Sequence, residues 1–450
     1  MTKRPLAGKF VGVIGLAKSG AAAANLARKL GASVLISEAR ERSKARDGLK
    51  LLGRGINTEF GGHSRRLLEA DLIIKSPGVH SDITVLKAAK FRGIPVIGEI
   101  EFALKYIKGR RLTAITGTNG KTTTTTLIGE IFKAAGLKTV VAGNIGAPPA
   151  GAASKITPKT DLVLEISSYQ LEDSPGFKPD ISAVLNITPD HLEHHHTMQN
   201  YIRAKTLVFK NQTRGGYCVL NYDDRITRGF ASLCPAKVVF FSRKKTLKNG
   251  VYFEKGKIVS KLPQNRFKIR VELIIPGPHN IENALAAAAV AAAAGIEPGV
   301  IKRLLNSFKG VEHRIEFCGE KLGVKYYNDS KGTNVDSTRV ALESFGGGIW
   351  LILGGLDKGA PYTPLKKLVK SKVKGILLIG EASGKIRKGL AGAARFFDTK
   401  TLTRAVGKAR MLARPGDTVL LSPACASFDQ FKDYEDRGRQ FKKLVSRIKD

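Results

Sequence analysis

The feature that most constrains the fold is the run of residues 112–123, which reads LTAITGTNGKTT. Strand-forming residues end at Gly117 and Gly120, and Lys121 and several threonines then lead into a helix-like segment at residues 127–135. A strand, a glycine turn and a helix in succession can cradle phosphate, because backbone N–H groups and the positive helix end face the anion. A lysine then reaches the terminal phosphates and a hydroxyl can hold Mg²⁺. Only two residues separate these glycines, against four in the usual phosphate-binding loop, so a chance strand–turn–helix is the alternative.

Strand-like and helix-like segments alternate along the 450 residues. This alternation predicts an α/β protein with mostly parallel sheets. The length suggests about three domains at roughly 150 residues each. Boundary-like segments at residues 93–109 and 310–314 place these domains at residues 1–108, 109–311 and 312–450.

Composition limits the class of partner. The chain carries 75 Lys and Arg against 38 Asp and Glu, a formal charge of +37. The basic residues are spread along the whole chain, which favours a generally basic proteome or attraction of anionic nucleotides, with nucleic-acid binding as the alternative. The four cysteines are far apart, without a C-x-x-C pair, and no apolar run is long enough to span a bilayer. We therefore expect reduced thiols and a soluble, cytoplasmic protein.

The N-terminal residues predict a nucleotide-type βαβ unit. A short apolar strand at residues 10–15 is followed by the turn GLAKSG and an alanine-rich helix, and the next strand ends at Glu38. Folds of this type place a ribose-binding acid at that position. Ala17 occupies the second glycine position of the usual fingerprint, so a purely structural turn is an equal alternative.

Reactive side chains also follow the predicted strands of the central region. Glu165 ends an apolar strand, where the Mg²⁺ of a nucleotide complex is usually held. Four of the eight histidines fall within residues 191–196. We assign a metal or phosphate role to His191, nearest the strand end, and expect His194–His196 to face solvent. Lys205 lies on a partly apolar helix face, where a lysine usually extends its ammonium group to water.

The last third repeats the pattern of polar residues after strands. Hydroxyls, lysines and glycines at residues 329–334, 354–358 and 422–427 follow predicted strands. Ligands of open parallel sheets bind beyond the carboxyl ends of strands, so these residues favour an anionic ligand. Ordinary turn chemistry is the alternative.

Seven segments, taken in order, resemble motifs of the Mur ligase family. Five match its central domain: residues 115–123 (ITGTNGKTT), 165–172 (EISSYQLE), 190–192 (DHL), 201–205 (YIRAK) and 279–280 (HN). Two more, residues 327–334 (YNDSKGTN) and 422–431 (SPACASFDQF), resemble the D-glutamate-adding branch. The resemblance covers essentially the whole chain.

This resemblance implies a fold and a reaction. The fold would have three α/β domains: a Rossmann-like UDP-binding domain, a central P-loop-type ATPase domain and a C-terminal Rossmann-like domain. The reaction would join D-glutamate to UDP-N-acetylmuramoyl-L-alanine with ATP and Mg²⁺, through an acyl phosphate, in cytoplasmic peptidoglycan synthesis. Partners would be small molecules, without nucleic acid or membrane, and the chain would act as a monomer. Ligand groups on three domains would also imply closure, with a hinge near residues 310–314.

The resemblance further implies roles for single residues. Catalysis would use Lys121, Glu165, His191 and Lys205. ATP would contact Gly117, Thr118, Asn119, Gly120, Lys121, Thr122, Thr123, Asn280, Arg314 and Asp329. Metal ions would be held by Thr122, Glu165, His191 and a carbamylated Lys205. The UDP substrate would contact Ser19, Glu38, Gly78, Asn144 and Gln170. D-Glutamate would contact Thr333, Lys358, Ser427 and Tyr434, the last standing where the family carries Phe.

Three other functions stay open at this point. A folate-directed glutamate ligase of the same superfamily is the nearest, although the segments around Asp329 and Ser427 favour the D-glutamate branch. A nucleic-acid-dependent ATPase would account for the charge of +37. A non-catalytic nucleotide-binding scaffold would retain the glycine turn without using Lys121.

Overall fold

The structure is a computed structural model that describes residues 4–448, with all side chains except those of Leu192 and Glu193. The chain forms two compact units. The first unit comprises the residues up to 270 and residues 282–304, and the second comprises residues 271–281 and those from 305 onward. Three sheets provide their frames, two in the first unit and one in the second.

The N-terminal sheet of the first unit has five parallel strands in the order β3-β2-β1-β4-β5. The central strand is buried because its side chains, including Val11, Val13 and Ile14, are apolar on both faces. The strands are β1 (Phe10–Ile14), β2 (Ser33–Glu38), β3 (Asn57–Phe60), β4 (Leu72–Lys75) and β5 (Val96–Gly98). The helices are α1 (Lys18–Lys29), α2 (Arg46–Leu49), α3 (Thr84–Phe91) and α4 (Glu99–Tyr106).

The second sheet of the first unit has nine strands in the order β14-β13-β12-β11-β10-β9-β6-β8-β7. They are β6 (Arg111–Thr116), β7 (Thr139–Gly143), β8 (Asp161–Glu165), β9 (Ile181–Val184), β10 (Tyr217–Asn221), β11 (Lys237–Ser242), β12 (Val251–Glu254), β13 (Lys257–Leu262) and β14 (Asn265–Arg270). Pairing is parallel from β7 to β12 and antiparallel for β12-β13-β14. Strand β6, which leads into the glycine turn, lies between β9 and β8.

The helices that follow these strands are α5 (Lys121–Ala134), α6 (Pro149–Ala152), α7 (Ser168–Glu172), α8 (Leu192–His195), α9 (Met198–Lys210), α10 (Arg225–Gly229), α11 (Pro278–Ala293) and α12 (Pro298–Ser307). Helix α5 begins at Lys121, six residues before the helix-like segment of the sequence. Threonine is a weak helix former, but Gly120, with a φ of 82°, turns the chain directly into the helix. The alanines of α11 are fully enclosed, from Ala284 to Ala292.

The sheet of the second unit has six strands in the order β15-β16-β20-β17-β18-β19, parallel except for β15. The strands are β15 (Glu316–Lys321), β16 (Val324–Asn328), β17 (Ile349–Gly354), β18 (Val373–Ile379), β19 (Arg395–Lys400) and β20 (Thr418–Leu421). The helices are α13 (Val335–Glu343), α14 (Lys366–Lys372), α15 (Ser383–Gly389), α16 (Leu402–Leu412) and α17 (Tyr434–Ser446).

The predicted fold class is confirmed: the protein is α/β, with three mostly parallel sheets. These sheets fall within residues 1–108, 109–311 and 312–450, although the exact domain bounds stay a prediction. Across residues 4–448, we find no helix that combines the length and the apolar character needed to traverse a bilayer.

Candidate active site

The glycine turn after β6 forms the floor of the candidate site. Gly117 and Gly120 have φ angles of 146° and 82°, which side chains other than glycine rarely adopt. Space is also restricted, because a Cβ on Gly120 would collide with the Asn283 side chain. The backbone N–H of Asn119 donates to the Asn186 side chain at 2.8 Å, which holds the turn against the segment after β9. The turn therefore presents the positive end of α5 at the carboxyl edge of the sheet.

Two lysine ammonium groups lie on this turn. Lys121 Nζ donates to the carbonyl oxygens of Gly117 and Thr118 at 2.8 and 2.7 Å. Lys205 Nζ donates to the same Gly117 oxygen at 3.1 Å and to Thr116 Oγ1 at 3.2 Å. The sequence suggested that Lys205 would reach water, but its side chain is buried. Burial, followed by the charge of Lys121, lowers the pKa of Lys205 to about 7.

Glu165 ends β8 beside the glycine turn, with Ile115 of β6 as its neighbour in register. The Asn144 side chain donates to Glu165 Oε1 at 2.8 Å, whereas Glu165 Oε2 is buried without a hydrogen-bond partner. Buried carboxylate oxygens normally have a partner, and an oxygen ligand is what Mg²⁺ prefers. The residues at this strand end therefore fit the predicted metal. Thr122, directly after Lys121 in the first turn of α5, carries the hydroxyl predicted to hold the metal with Glu165.

The histidine segment differs from the prediction. His191 has an exposed side chain and a φ of 53°, and its ring packs edge-on against Tyr169, with ring centroids 5.2 Å apart. His196 is exposed as expected. His194 and His195, expected to face solvent, do not: His194 is half-buried and His195 is only 3% exposed. The short helix α8 turns them toward Ser168 and Glu172 of α7, an interaction that residue type alone does not reveal.

Tyr201 is a site residue that the sequence reasoning missed. Its ring is buried beneath the ammonium of Lys205, 5.3 Å from Nζ to the ring centroid, and its hydroxyl lies 3.0 Å from Thr118 Oγ1. Tyr201 therefore connects α9 to the glycine turn. The sequence could have placed Tyr201 in the site, because Tyr201 and Lys205 are four residues apart and share one face of a helix.

Comparisons with known proteins show which family the chain resembles. Sequence profiles match at residues 9–98 (Mur ligase MurD-like, N-terminal domain), 115–291 (Mur ligase middle domain) and 313–425 (Mur ligase, glutamate ligase domain). The UDP-N-acetylmuramoylalanine–D-glutamate ligase of Koribacter versatilis is 45% identical over 98% of both chains. The chain belongs to the Mur ligase family.

Further relatives carry the same name. The protein of that name from Caldanaerobacter subterraneus subsp. tengcongensis is 45% identical over 97% of this chain and 98% of its own. That of Clostridioides difficile is 43% identical over 99% and 100%. Among solved structures, the UDP-N-acetylmuramate–alanine ligase of Thermotoga maritima has a TM-score of 0.59 at 20% identity, covering 98% of this chain and 100% of that one. At that identity the structure supports the Mur ligase fold alone.

In the N-terminal domain of this Mur ligase, Glu38 has a full set of partners. Its two carboxylate oxygens accept from the backbone N–H of Leu16 at 2.8 Å and from Arg40 Nε at 2.9 Å. The bond from Arg40 lowers the pKa of Glu38 to about 2. Ser19 is half-buried at the start of α1 and Gly78 is exposed in the turn after β4. The proposed uridine contacts thus surround a turn that Glu38 braces.

The remaining substrate candidates of the first unit lie near Glu165. Asn144 is the donor to Glu165 described above. Gln170 is buried in a capping box at the start of α7, where its side-chain oxygen accepts from the Ser167 N–H at 2.9 Å. Asn144 is exposed and so accessible to a ligand, whereas Gln170 helps to fix α7.

Three candidate ATP contacts belong to the second unit. Asn280 is buried, with its amide donating to the Pro276 carbonyl at 2.6 Å. Asp329, directly after β16, accepts from Ser422 Oγ at 2.7 Å, and burial raises its pKa to about 7. Arg314 is exposed, and its charge acts on Asp329 in the opposite direction.

The four D-glutamate candidates of the second unit differ in exposure. Lys358 Nζ lies 3.4 Å from Thr333 Oγ1, so the structure brings these two side chains together. Ser427 is buried in the turn after β20. Tyr434 begins α17, and its hydroxyl, which the sequence could not place, donates to Glu435 Oε1 at 3.3 Å.

Arg437 is a second residue that the sequence reasoning missed. Its guanidinium is fully buried and donates to Ser330 Oγ at 2.9 Å, to the Ser330 carbonyl at 2.9 Å and to the Cys425 carbonyl at 3.2 Å. It therefore joins the two segments that resemble the D-glutamate branch. Its spacing of four from the buried Phe441 could have placed it on the inner face of α17.

Proposed function

We propose that this chain joins D-glutamate to UDP-N-acetylmuramoyl-L-alanine with ATP, releasing ADP and phosphate, as a step of peptidoglycan synthesis. The observation that carries the proposal is the 45% identity, over 98% of both chains, to a ligase named for this reaction. The central site supports it, because the glycine turn, two lysines and Glu165 converge at one strand edge. The full-length relatives are named for the D-glutamate reaction, which disfavours the folate-directed alternative.

The chemistry explains why such a site is needed. A carboxylate and an amine do not condense in water, so the substrate carboxylate first attacks the γ-phosphate of ATP and gives an acyl phosphate and ADP. The amine of D-glutamate then attacks the acyl carbon and phosphate leaves. Because carboxylate and triphosphate repel each other, the protein contributes mainly charge neutralisation and positioning. We assign the first task to Lys121 and the positive end of α5.

One Mg²⁺ ion would be held by Thr122 and Glu165, and His191 would support a second. Bound there, the ions would neutralise phosphate charge and orient the carboxylate against the γ-phosphate. The buried Glu165 Oε2 supports this assignment because it has no hydrogen-bond partner within the described structure. Asn144 would keep Glu165 in orientation through Oε1.

We further propose that Lys205 is carbamylated. Carbon dioxide reacts with a neutral amine, and a pKa of about 7 leaves a large fraction of Lys205 neutral near that pH. The N-carboxy group would exchange a buried cation for an anion, and that anion can bind or orient a metal ion.

Carbamylation can be tested without an activity assay. Protein exposed to ¹³C-labelled bicarbonate should show one carbamate carbon signal by NMR, and the Lys205→Arg variant should lack it. Lys210→Arg, on the exposed side of the end of the same helix, is the control and should keep the signal. An identical signal in wild type and Lys205→Arg would place the modification elsewhere.

In the second unit we assign Thr333, Lys358, Ser427 and Tyr434 to D-glutamate. The pairing of Thr333 with Lys358 supports this, since an ammonium and a hydroxyl together suit a carboxylate. Asn280, Arg314 and Asp329 are assigned to ATP. The UDP moiety is assigned to Ser19, Glu38 and Gly78 of the N-terminal domain. The muramoyl end of the substrate is assigned to Asn144 and Gln170 of the central domain.

The decisive experiment measures phosphate release with UDP-N-acetylmuramoyl-L-alanine, ATP and each enantiomer of glutamate. We expect turnover with D-glutamate and none above background with L-glutamate. Turnover with L-glutamate alone would overturn the proposal in favour of the folate-directed type of ligase. Omission of the amino acid is the control for simple ATP hydrolysis.

We also infer that the enzyme acts on these small molecules as a cytoplasmic monomer, without nucleic acid. A nucleic-acid-dependent ATPase, suggested by the charge of +37, predicts hydrolysis that DNA or RNA stimulates and that salt suppresses steeply. We expect no stimulation at moderate salt. Sedimentation of the purified chain should give the mass of one copy, and a dimer would contradict that part of the inference.

A further inference from the structure

A cluster of imidazoles and one carboxylate lies beside the candidate active site and has no part in the reaction described above. Glu172, His194 and His195 place one potential ligand atom each within 4.8 Å of one another. Glu172 Oε2 is 2.9 Å from His194 Nε2, and Glu172 Oε1 is 3.5 Å from His195 Nδ1. Glu172 ends α7 and the two histidines end α8, so the cluster connects two short helices.

The buried histidine of this cluster has an unusual arrangement. His195 Nε2 lies 2.9 Å from Ser168 Oγ, while His195 Nδ1 is buried without a hydrogen-bond partner. A metal-bound histidine commonly uses its second ring nitrogen to bond an oxygen, which fixes the ring and leaves the other nitrogen for the metal. Ser168 is that oxygen here, and His195 Nδ1 faces the Glu172 carboxylate beyond ordinary hydrogen-bond distance.

We propose that Glu172, His194 and His195 form a binding site for a transition-metal dication of the Zn²⁺ class. Two imidazole nitrogens and a carboxylate suit Zn²⁺ and its neighbours, whereas Mg²⁺ selects oxygen ligands. Three protein ligands leave one tetrahedral position, for water or for His80, whose ring centroid is 6.1 Å from that of His194.

Binding at this site would act on the segment that carries His191. The ring of Tyr169 contacts three histidines, with centroid distances of 5.2 Å to His191, 4.1 Å to His194 and 5.5 Å to His195. A metal ion held by both helices would therefore restrain Tyr169 and the segment that carries His191. The site would have a positioning role and would not itself touch the reacting atoms.

The test uses Co²⁺ as a spectroscopic probe on the full-length protein, freed of metal and then kept in excess Mg²⁺ to occupy oxygen-rich sites. We expect one equivalent of Co²⁺ to give the strong visible absorption of four-coordinate cobalt, and Zn²⁺ to displace it. His194→Ala should weaken Zn²⁺ binding by at least ~100-fold, and Ser168→Ala by ~10-fold, the scale for losing an outer partner.

His196→Ala is the matched control, because it removes an exposed imidazole from the same segment and should leave Zn²⁺ binding unchanged. His194 is only half-buried, so His194→Ala should fold, which circular dichroism will check. Equal Zn²⁺ binding by His194→Ala and His196→Ala, or no four-coordinate cobalt signal in the wild type, would overturn the proposal.

A second measurement reports on the restraint. Hydrogen exchange of residues 188–197 should slow on addition of Zn²⁺ to the wild type and remain unchanged in His194→Ala. No change in the wild type would refute the positioning role. None of these readouts requires the ligase reaction, so their failure would leave the proposed function intact.

Discussion

The two glycine turns of the first unit share one local construction and differ in the partners of the acid beside them. Strand β1 leads through residues 15–17 into α1, and β6 leads through residues 117–120 into α5. In each case the neighbouring parallel strand ends in a glutamate, Glu38 on β2 and Glu165 on β8. The strand–turn–helix backbone therefore does not by itself distinguish the functions of the two turns.

The partners of the two acids separate them. Glu38 forms an ion pair with Arg40 at 2.9 Å and accepts the Leu16 N–H, so its charge is neutralised within the protein. Within the described part of the chain, the Glu165 carboxylate accepts a hydrogen bond from the neutral Asn144 alone, and the ammonium groups of Lys121 and Lys205 both donate to the Gly117 carbonyl. An acid whose oxygens are all hydrogen-bonded inside the protein stabilises a turn, whereas an acid with one unpaired oxygen can bind a ligand.

The largest effect should come from Glu165→Ala. Loss of the proposed magnesium ligand should lower kcat by at least ~10²-fold, the scale for removing a preorganised electrostatic partner. Steady-state phosphate release at saturating substrates measures it, with Glu130→Ala, a glutamate near the end of α5 with a partly exposed side chain, as the control. A near-normal rate would contradict the proposal that Glu165 serves a ligand whereas Glu38 stabilises a turn.

The counterpart change, Glu38→Gln, should act on stability. It leaves the Arg40 guanidinium without its charge partner and weakens the bond from Leu16, at a cost of about 1–3 kcal/mol in the free energy of unfolding. Urea denaturation measures this cost. We expect kcat to be unchanged and KM for the UDP substrate to rise, since Glu38 shapes that turn. A fall in kcat as large as that of Glu165→Ala would contradict the comparison.

The pH dependence of Glu38 should follow from its lowered pKa. Because its pKa in the fold is about 2, below the ordinary 4.5, Glu38 stabilises the protein above pH 4.5 and loses this contribution as the pH falls toward 2. The stability difference between wild type and Glu38→Gln should therefore shrink on acidification. A constant difference across that range would mean that the Arg40 pair contributes nothing to stability.

A pH effect of opposite sign is expected for Asp329, the acid after β16 in the second unit. Its pKa is raised from 3.8 to about 7, so its contribution is complete below pH 3.8 and is lost as the pH rises through 7. Wild type should thus lose stability relative to Asp329→Asn across that interval. Thermal unfolding at a series of pH values tests this, and parallel curves would show that the Asp329 site is better solvated than its burial indicates.

The sequence predicted what depends on local pattern. The glycine turn, the strand that ends at Glu165 and the α/β class all follow from periodicity and from residues adjacent in the chain. The start of α5 at Lys121 was missed because six successive residues, Lys121 and five threonines, do not read as helix. The antiparallel strands β13 and β14 were not predicted either.

What the sequence could not supply are the contacts between distant segments. Burial of His195 depends on Ser168, 27 residues away, and the role of Tyr201 depends on Thr118, 83 residues away. A histidine in a polar run looks solvated until a second helix covers it. The burial of the Lys205 amine likewise involves contacts with Thr116 and Gly117, which lie 89 and 88 residues away.

The buried guanidinium of Arg437 has a consequence for biosynthesis. It binds Ser330, which is 107 residues earlier, and Cys425, which is 12 residues earlier. During translation, both loops emerge from the ribosome before the arginine that fastens them. Nascent protein stalled upstream of α17 would therefore hold both loops without the guanidinium that joins them, so their mutual arrangement would be complete only once α17 has been made.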